Sequence, residues 1–151
     1  MTLKLAAEED LITVVPMIRN FYETTPYSKL AFDEDGVRKK LQEMVSHKSG
    51  PCTVILSVKD ELPVGFLIGV AQPLLFSSDL VAVEAGWWVE PEYRNSRRAF
   101  ELHNAFLYWA KLRGCKAASM STIHGEFSEQ LEKLYTRKGY EKTEVNFMRF
   151  L

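Results

Sequence analysis

The chain has 151 residues, 46% of them apolar and 12% aromatic, which is one ordinary domain's worth of material with enough apolar side chains to fill a core. Nineteen Lys plus Arg against 20 Asp plus Glu leave a formal charge of −1, so no global field directs the protein to nucleic acid or an anionic membrane. No apolar run approaches the ~18 residues of a membrane span, and Glu8, Glu9 and Asp10 stand where a signal peptide would be apolar. Cys52 and Cys115 have neither disulfide-framework nor zinc-ligand spacing. A soluble, cytoplasmic chain without a metal site is the expectation.

Leu3 to Ala6 can form a short strand. A helix should follow, with Leu11, Val14, Val15, Ile18 and Tyr22 at helical spacing and Pro16 as a kink or restart. Asp33 is a suitable N-cap for a second helix carrying Val37, Leu41, Met44 and Val45 on one face, ending before Ser49-Gly50-Pro51. Thr53 to Lys59 then alternates like a strand, Asp60 to Pro63 reads as a tight turn, and Val64 to Ala71 as its hairpin partner, apolar on both faces and so central in a sheet.

Leu80 to Val89 is another largely apolar strand, stopped by Pro91. From Ala99 the spacing is helical again through Leu102, Phe106, Trp109 and Ala110, with Gly114 as the stop. Ala117 to Thr122 reads as a buried strand, and Phe127, Leu131, Leu134 and Tyr135 lie on a last helix closed by Gly139. Tyr140 to Leu151 returns to strand-like alternation. The order βααβββαβαβ over one domain, residues 1–151, indicates an α+β or mixed α/β fold rather than a doubly wound sheet.

The most informative stretch is the polar turn Arg94-Asn95-Ser96-Arg97-Arg98-Ala99, between a buried strand and a long helix. A helix N-terminus leaves its first backbone N–H groups unpaired and pointing at one spot, which favours an anion such as a phosphate, and three arginines reinforce that preference. Residues 94 to 116 hold six bases (Arg94, Arg97, Arg98, Lys111, Arg113, Lys116) against the single acid Glu101; residues 1 to 35 hold seven acids against three bases. The chain is locally dipolar. One end suits a polyphosphate and the other an amine-bearing partner, although solubility and helix-dipole effects also place charges this way.

This arrangement resembles the GNAT acyltransferase superfamily, in which a strand ending Val-x-Pro-x-Tyr-Arg runs into an Arg/Gln-x-x-Gly-x-Gly/Ala turn and a long helix. Val89, Pro91, Tyr93, Arg94 and Ala99 fit, whereas Arg97 occupies the first glycine position and Asn95 and Ser96 replace the common Gly-Arg. Gly65-Phe66 is similar to the family's third strand, and Leu134-Tyr135-Thr136-Arg137-Lys138-Gly139-Tyr140 resembles its Leu-Tyr-x-x-x-Gly-Phe/Tyr ending. The element order extends the resemblance over the whole chain. Trp87-Trp88 and the arginine-substituted turn are also similar to compact GNAT-like proteins of tailed phages.

The resemblance implies a central mixed, mostly antiparallel sheet flanked by helices and transfer of an acyl group, from acetyl-CoA or another acyl-CoA, to an amine acceptor. It assigns the general acid to Tyr135 and the base to Glu84 on the strand before the turn. Arg94, Asn95, Ser96, Arg97, Arg98 and Ala99 would hold the pyrophosphate, the backbone near Trp88 and Val89 the developing oxyanion, and Ser128 the pantetheine arm. Each has a plainer reading as well: Glu84 paired or solvated, Tyr135 as core, Ser128 as a helix N-cap.

Trp87 and Trp88 should point to opposite faces, and Tyr22, Tyr27 and Phe32 could wall the acceptor cleft or simply pack. His124, His103 and His47 are weaker candidates for a base. Dimerisation is common among relatives, but no isologous patch is legible. Because Arg97 carries a Cβ where glycine allows positive φ, a catalytically idle binding or interaction module of the same fold is the competing reading.

Overall fold

The computed structural model describes residues 2–94 and 97–151. Nine elements run in the order β1 (Thr2–Leu5), α1 (Leu11–Glu23), α2 (Glu34–Ser46), β2 (Cys52–Lys59), β3 (Leu62–Pro73), β4 (Leu80–Val89), α3 (Arg98–Leu112), β5 (Ala117–Ser119) and α4 (Ser128–Arg137). The strands form one sheet in the order β1-β2-β3-β4-β5, antiparallel throughout except for the parallel β4–β5 pair. The α+β fold with a mixed, mostly antiparallel sheet matches the sequence reading.

Two apolar layers sandwich the sheet. On one face Val54, Leu56, Phe66, Ile68 and Trp88 pack against Val14, Val15 and Leu41 of α1 and α2. On the other, Ile55, Leu67, Ala82 and Val89 pack against Leu102, Phe106 and Trp109 of α3. β2 and β3 contribute alternate residues to both layers, which explains their unbroken apolar runs. Gly69 allows the closest approach of α3 to the sheet: a Cβ there would lie 2.7 Å from the Phe106 ring.

Three expectations need correction. Pro16 does not interrupt α1, because it sits on the exposed face beside Ile12, whose orphaned carbonyl can turn to water. The β2–β3 turn is shorter than Asp60 to Pro63: Lys59 pairs with Leu62, so Asp60 and Glu61 alone make the turn, with φ of 49° and 66°. The final strand expected at Tyr140 to Leu151 is not formed. That segment has no regular structure and leaves Val145, Phe147 and Met148 exposed. Asp33, by contrast, caps α2 as expected, accepting from the Gly36 amide at 3.0 Å.

Candidate active site

β4 and β5 part company soon after they meet. Their ladder runs Val81↔Ala117, Ala82↔Ala118 and Val83↔Ser119, and no further pairing joins them among the described residues. The buried strand expected over Ala117 to Thr122 is therefore three residues long and largely exposed. The next backbone groups are taken by side chains instead of by the ladder. The Ser121 amide donates to Glu84 Oε2 at 3.3 Å, and the Ser121 carbonyl accepts from the Tyr135 hydroxyl at 3.0 Å. A carboxylate standing where a strand carbonyl would accept holds the two strands apart as a wedge.

A bulge aims these side chains. β3–β4 pairing passes from Ile68↔Gly86 to Gly69↔Glu84, leaving Ala85 as an extra residue on β4. Residues 84 and 87 would lie on opposite faces of a regular strand. The extra residue brings Glu84 to the side that holds Tyr135 and Trp87 to the side that holds α3, while Trp88 goes into the α1 layer.

Burial raises the Glu84 carboxyl to about 7, against a smaller lowering by the Ser121 hydrogen bond. Tyr135 is held well above the usual phenol range, first by desolvation and then by the Glu84 charge and the neighbouring Tyr140. Tyr135 is the buried side chain of α4. Its ring lies 5.5 Å from that of Tyr140, whose hydroxyl oxygen is 2.8 Å from His103 Nε2 on α3. Trp87 packs on the far side of His103, ring centroids 6.2 Å apart. Trp87, Phe100, His103, Leu134, Tyr135 and Lys138 line a narrow crevice between α3 and α4.

At the end of β4 the chain makes a short 3-10 turn, Pro91–Tyr93, and α3 begins at Arg98. Arg94 folds back over the Trp88 ring, 4.4 Å from its centroid, and its Nε donates to the Val89 carbonyl at 2.9 Å. Arg98 is turned into the protein, 1% exposed, donating from Nη1 to Ser57 Oγ on β2 and lying 5.2 Å from the Tyr93 ring. Its side chain is not presented to an anion, contrary to the sequence expectation. Arg97 is exposed and has φ −70°, a conformation open to any residue, and its own side chain does not cap the helix. Asn95 and Ser96 lie outside the described residues. Ala99 packs against the α3-side core.

The chain matches the family model described as the acetyltransferase (GNAT) family over residues 15–140. The protein belongs to that acetyltransferase family. Solved structures agree on the fold. An acetyltransferase from Trypanosoma brucei superposes with a TM-score of 0.76 at 16% identity, covering 99% of each chain. An aminoglycoside 6'-N-acetyltransferase from Acinetobacter haemolyticus gives 0.74 at 18%, covering 100% of this chain and 99% of the other. An aminoglycoside N-acetyltransferase in complex with CoA gives 0.76 at 18%, covering 99% and 93%. No curated protein sequence matches.

The GNAT acetyltransferase keeps its remaining candidates away from the wedge. Ser128 is not the cap of α4; Phe127 occupies that position and Ser128 Oγ donates to the Gly125 carbonyl at 2.9 Å. His47 and His124 are exposed. Tyr22 spends its hydroxyl on the carbonyls of Ser28 and Leu30 and packs on Phe32 at 5.1 Å, so these two tie down the α1–α2 connection, while Tyr27 is exposed.

Glu90 accepts from Asn20 at 3.3 Å. There a separate open cleft of about 480 Å³ is lined by Asn20, Lys59, Asp60, Glu90, Glu92 and Tyr93. It is the roomier of the two cavities and holds none of the wedge's side chains. Sequence reasoning ranked His103 low and overlooked Ser121. The legible signal for His103 was its place on the Ala99, His103, Phe106, Ala110 stripe of α3, where an imidazole needs a partner once buried.

Among the described residues no helix is long and apolar enough to cross a membrane, and no cluster of His, Cys, Asp and Glu could hold a metal.

Proposed function

We propose that residues 1–151 form one acyltransferase domain that moves the acetyl group of acetyl-CoA to a primary amine by direct attack, with Glu84 as base and Tyr135 as acid. The observation that carries this reading is the meeting of Glu84 and Tyr135 on Ser121 at the mouth of the β4–β5 wedge.

The residues present fit the acyl donor. The start of α3 offers backbone amides without a side-chain cap from Arg97, the exposed Arg97 supplies a guanidinium for phosphate, and the wedge leaves one edge of β4 open beside Trp88 and Val89. Trp88 Nε1 is buried with no acceptor among the described residues, a donor suited to a ligand oxygen. Acetyl-CoA supplies a thioester carbonyl activated for attack. Arg97 has a negative φ, so its Cβ brings no backbone strain, and CoA binding at this turn is what separates the present reading from the idle module.

A lysine-like amine at neutral pH is about 10³-fold more protonated than free, so baring its lone pair costs roughly 4 kcal/mol. An ordinary glutamate is a poor base for that proton. Raising Glu84 to about 7 narrows the gap to the amine, which favours transfer by roughly 3 kcal/mol relative to an exposed carboxylate. The ammonium gives one proton to Glu84 Oε and attacks as the free amine; as the N–C bond forms and the C–S bond breaks, the Tyr135 hydroxyl proton goes to the departing sulfur and the second nitrogen proton returns Tyr135 to the neutral phenol, leaving one proton for Glu84 to release to solvent. Tyr135 must release the Ser121 carbonyl to do so. Once Glu84 is neutral, its contribution to holding the phenol proton disappears, which eases the transfer while desolvation, the larger cause, still opposes it.

The amine acceptor is a small molecule or a protein. The excess of acid in residues 1 to 35 favours a polycationic acceptor, a class that includes the aminoglycosides named for two of the structural neighbours. The test is acetyl-CoA-dependent thiol release with a panel of an aminoglycoside, spermidine and a lysine peptide. Turnover with at least one, lost in Tyr135→Phe, is expected. Absence of turnover together with no thermal shift from millimolar CoA would restore the idle module; at 100 Kd, CoA should add about 2.7 kcal/mol.

A further inference from the structure

We infer that His103 and Tyr140 are positioning residues that fix the ring of Tyr135 in the wedge. The inference deepens the proposed function and rests on Tyr135 being the proton donor. α4 is an exposed helix whose one side chain classed as buried is Tyr135, so the helix itself does little to set the pose of that side chain. Two contacts do: the hydrogen bond from the Tyr135 hydroxyl to the Ser121 carbonyl, and the Tyr140 ring 5.5 Å away at 52°. Tyr140 is in turn pinned through its hydroxyl, 2.8 Å from His103 Nε2.

His103 is a firm anchor. It is 5% exposed on α3, the helix most deeply packed on the sheet, with Trp87 against its ring. Desolvation lowers the pKa of its imidazole, opposed by the Asn104 hydrogen bond and assisted by the Lys138 charge. The charged and titratable groups facing this chain of contacts are Glu84 from β4, Lys138 just past the end of α4 and the two tyrosines. An imidazole Nε2 can accept from or donate to a hydroxyl according to its tautomer, so the Tyr140 hydroxyl has a partner held in place by α3.

Tyr140→Phe deletes one oxygen and leaves the packing intact. In isotope-edited NMR of the free protein it should shift the His103 ring nitrogens and broaden or split the Tyr135 ring signals. Unchanged Tyr135 signals overturn the inference whatever the kinetics. With acetyl-CoA and the amine turned over in the panel, Tyr140→Phe should lower kcat roughly tenfold at constant KM for acetyl-CoA, and should cost nothing more when added to Tyr135→Phe. An equal loss in both backgrounds also overturns it. His103→Gln, whose amide can still bond the hydroxyl, should retain most of the turnover that His103→Leu loses, and equal turnover in the two would count against the anchor. Should Tyr135→Phe itself retain full turnover, the proton-donor reading falls, while the NMR comparison still decides whether His103 and Tyr140 set the ring.

Discussion

Glu84 and Tyr135 grip the two backbone groups of one residue, the carboxylate accepting from the Ser121 amide and the phenol donating to the Ser121 carbonyl. Their protons are consequently coupled. The charge on Glu84 raises the affinity of Tyr135 for its proton, and neutralising one eases ionisation of the other.

Stability should fall as Glu84 ionises. Its folded-state pKa of about 7 exceeds the ordinary value, so between about pH 4.5 and 7 the folded chain retains a proton that the unfolded chain has released, and unfolding becomes easier as pH rises through that window. Glu84→Gln keeps an acceptor for the Ser121 amide and removes the buried charge. Thermal denaturation at pH 8 should find it roughly 1–3 kcal/mol more stable than the parent, with the difference vanishing near pH 4.

The same substitution should abolish the base. kcat/KM of the parent should rise with pH through about 7, and Glu84→Gln should lose that limb together with roughly 10²-fold or more of turnover. A rising limb that survives in the variant assigns the base elsewhere.

Arg97 and Arg98, adjacent in sequence, should behave oppositely. Arg98→Ala opens a cavity and strands Ser57, and should lower stability by roughly 2–4 kcal/mol in denaturant titration. Arg97→Ala should leave stability within about 0.5 kcal/mol and weaken CoA binding several-fold in calorimetry.

The hairpin turn carries removable strain. Glu61 has φ 66°, a conformation glycine adopts freely, so Glu61→Gly should raise stability by up to about 1 kcal/mol, read as a higher melting temperature without loss of CoA binding.

Helices α1 to α4 and strands β2 to β4 were legible because their apolar residues recur at one period over eight or more residues, and each period was satisfied by a layer of core. Tyr140 to Leu151 misled because alternation describes a segment willing to pair, whereas a ladder also needs an edge that accepts it. The arginine turn was half legible. Three cations beside a helix start read alike in sequence, yet Arg98 is buried and donates to Ser57, Arg94 donates to the Val89 carbonyl over the Trp88 ring, and Arg97 is exposed. Glu84 and Tyr135 could be named from the family pattern, but the bulge at Ala85 that turns Glu84 toward Tyr135 leaves no mark in the order of residues. Nor could spacing reveal His103 and Tyr140 as partners 37 residues apart.

Ser121 takes part through its peptide alone, since both bonds to it end on main-chain atoms. The identity of its side chain is thereby free to drift, and proline is the one replacement that would delete the donor facing Glu84. A position held through its main chain alone can thus tie together side chains from two separate elements.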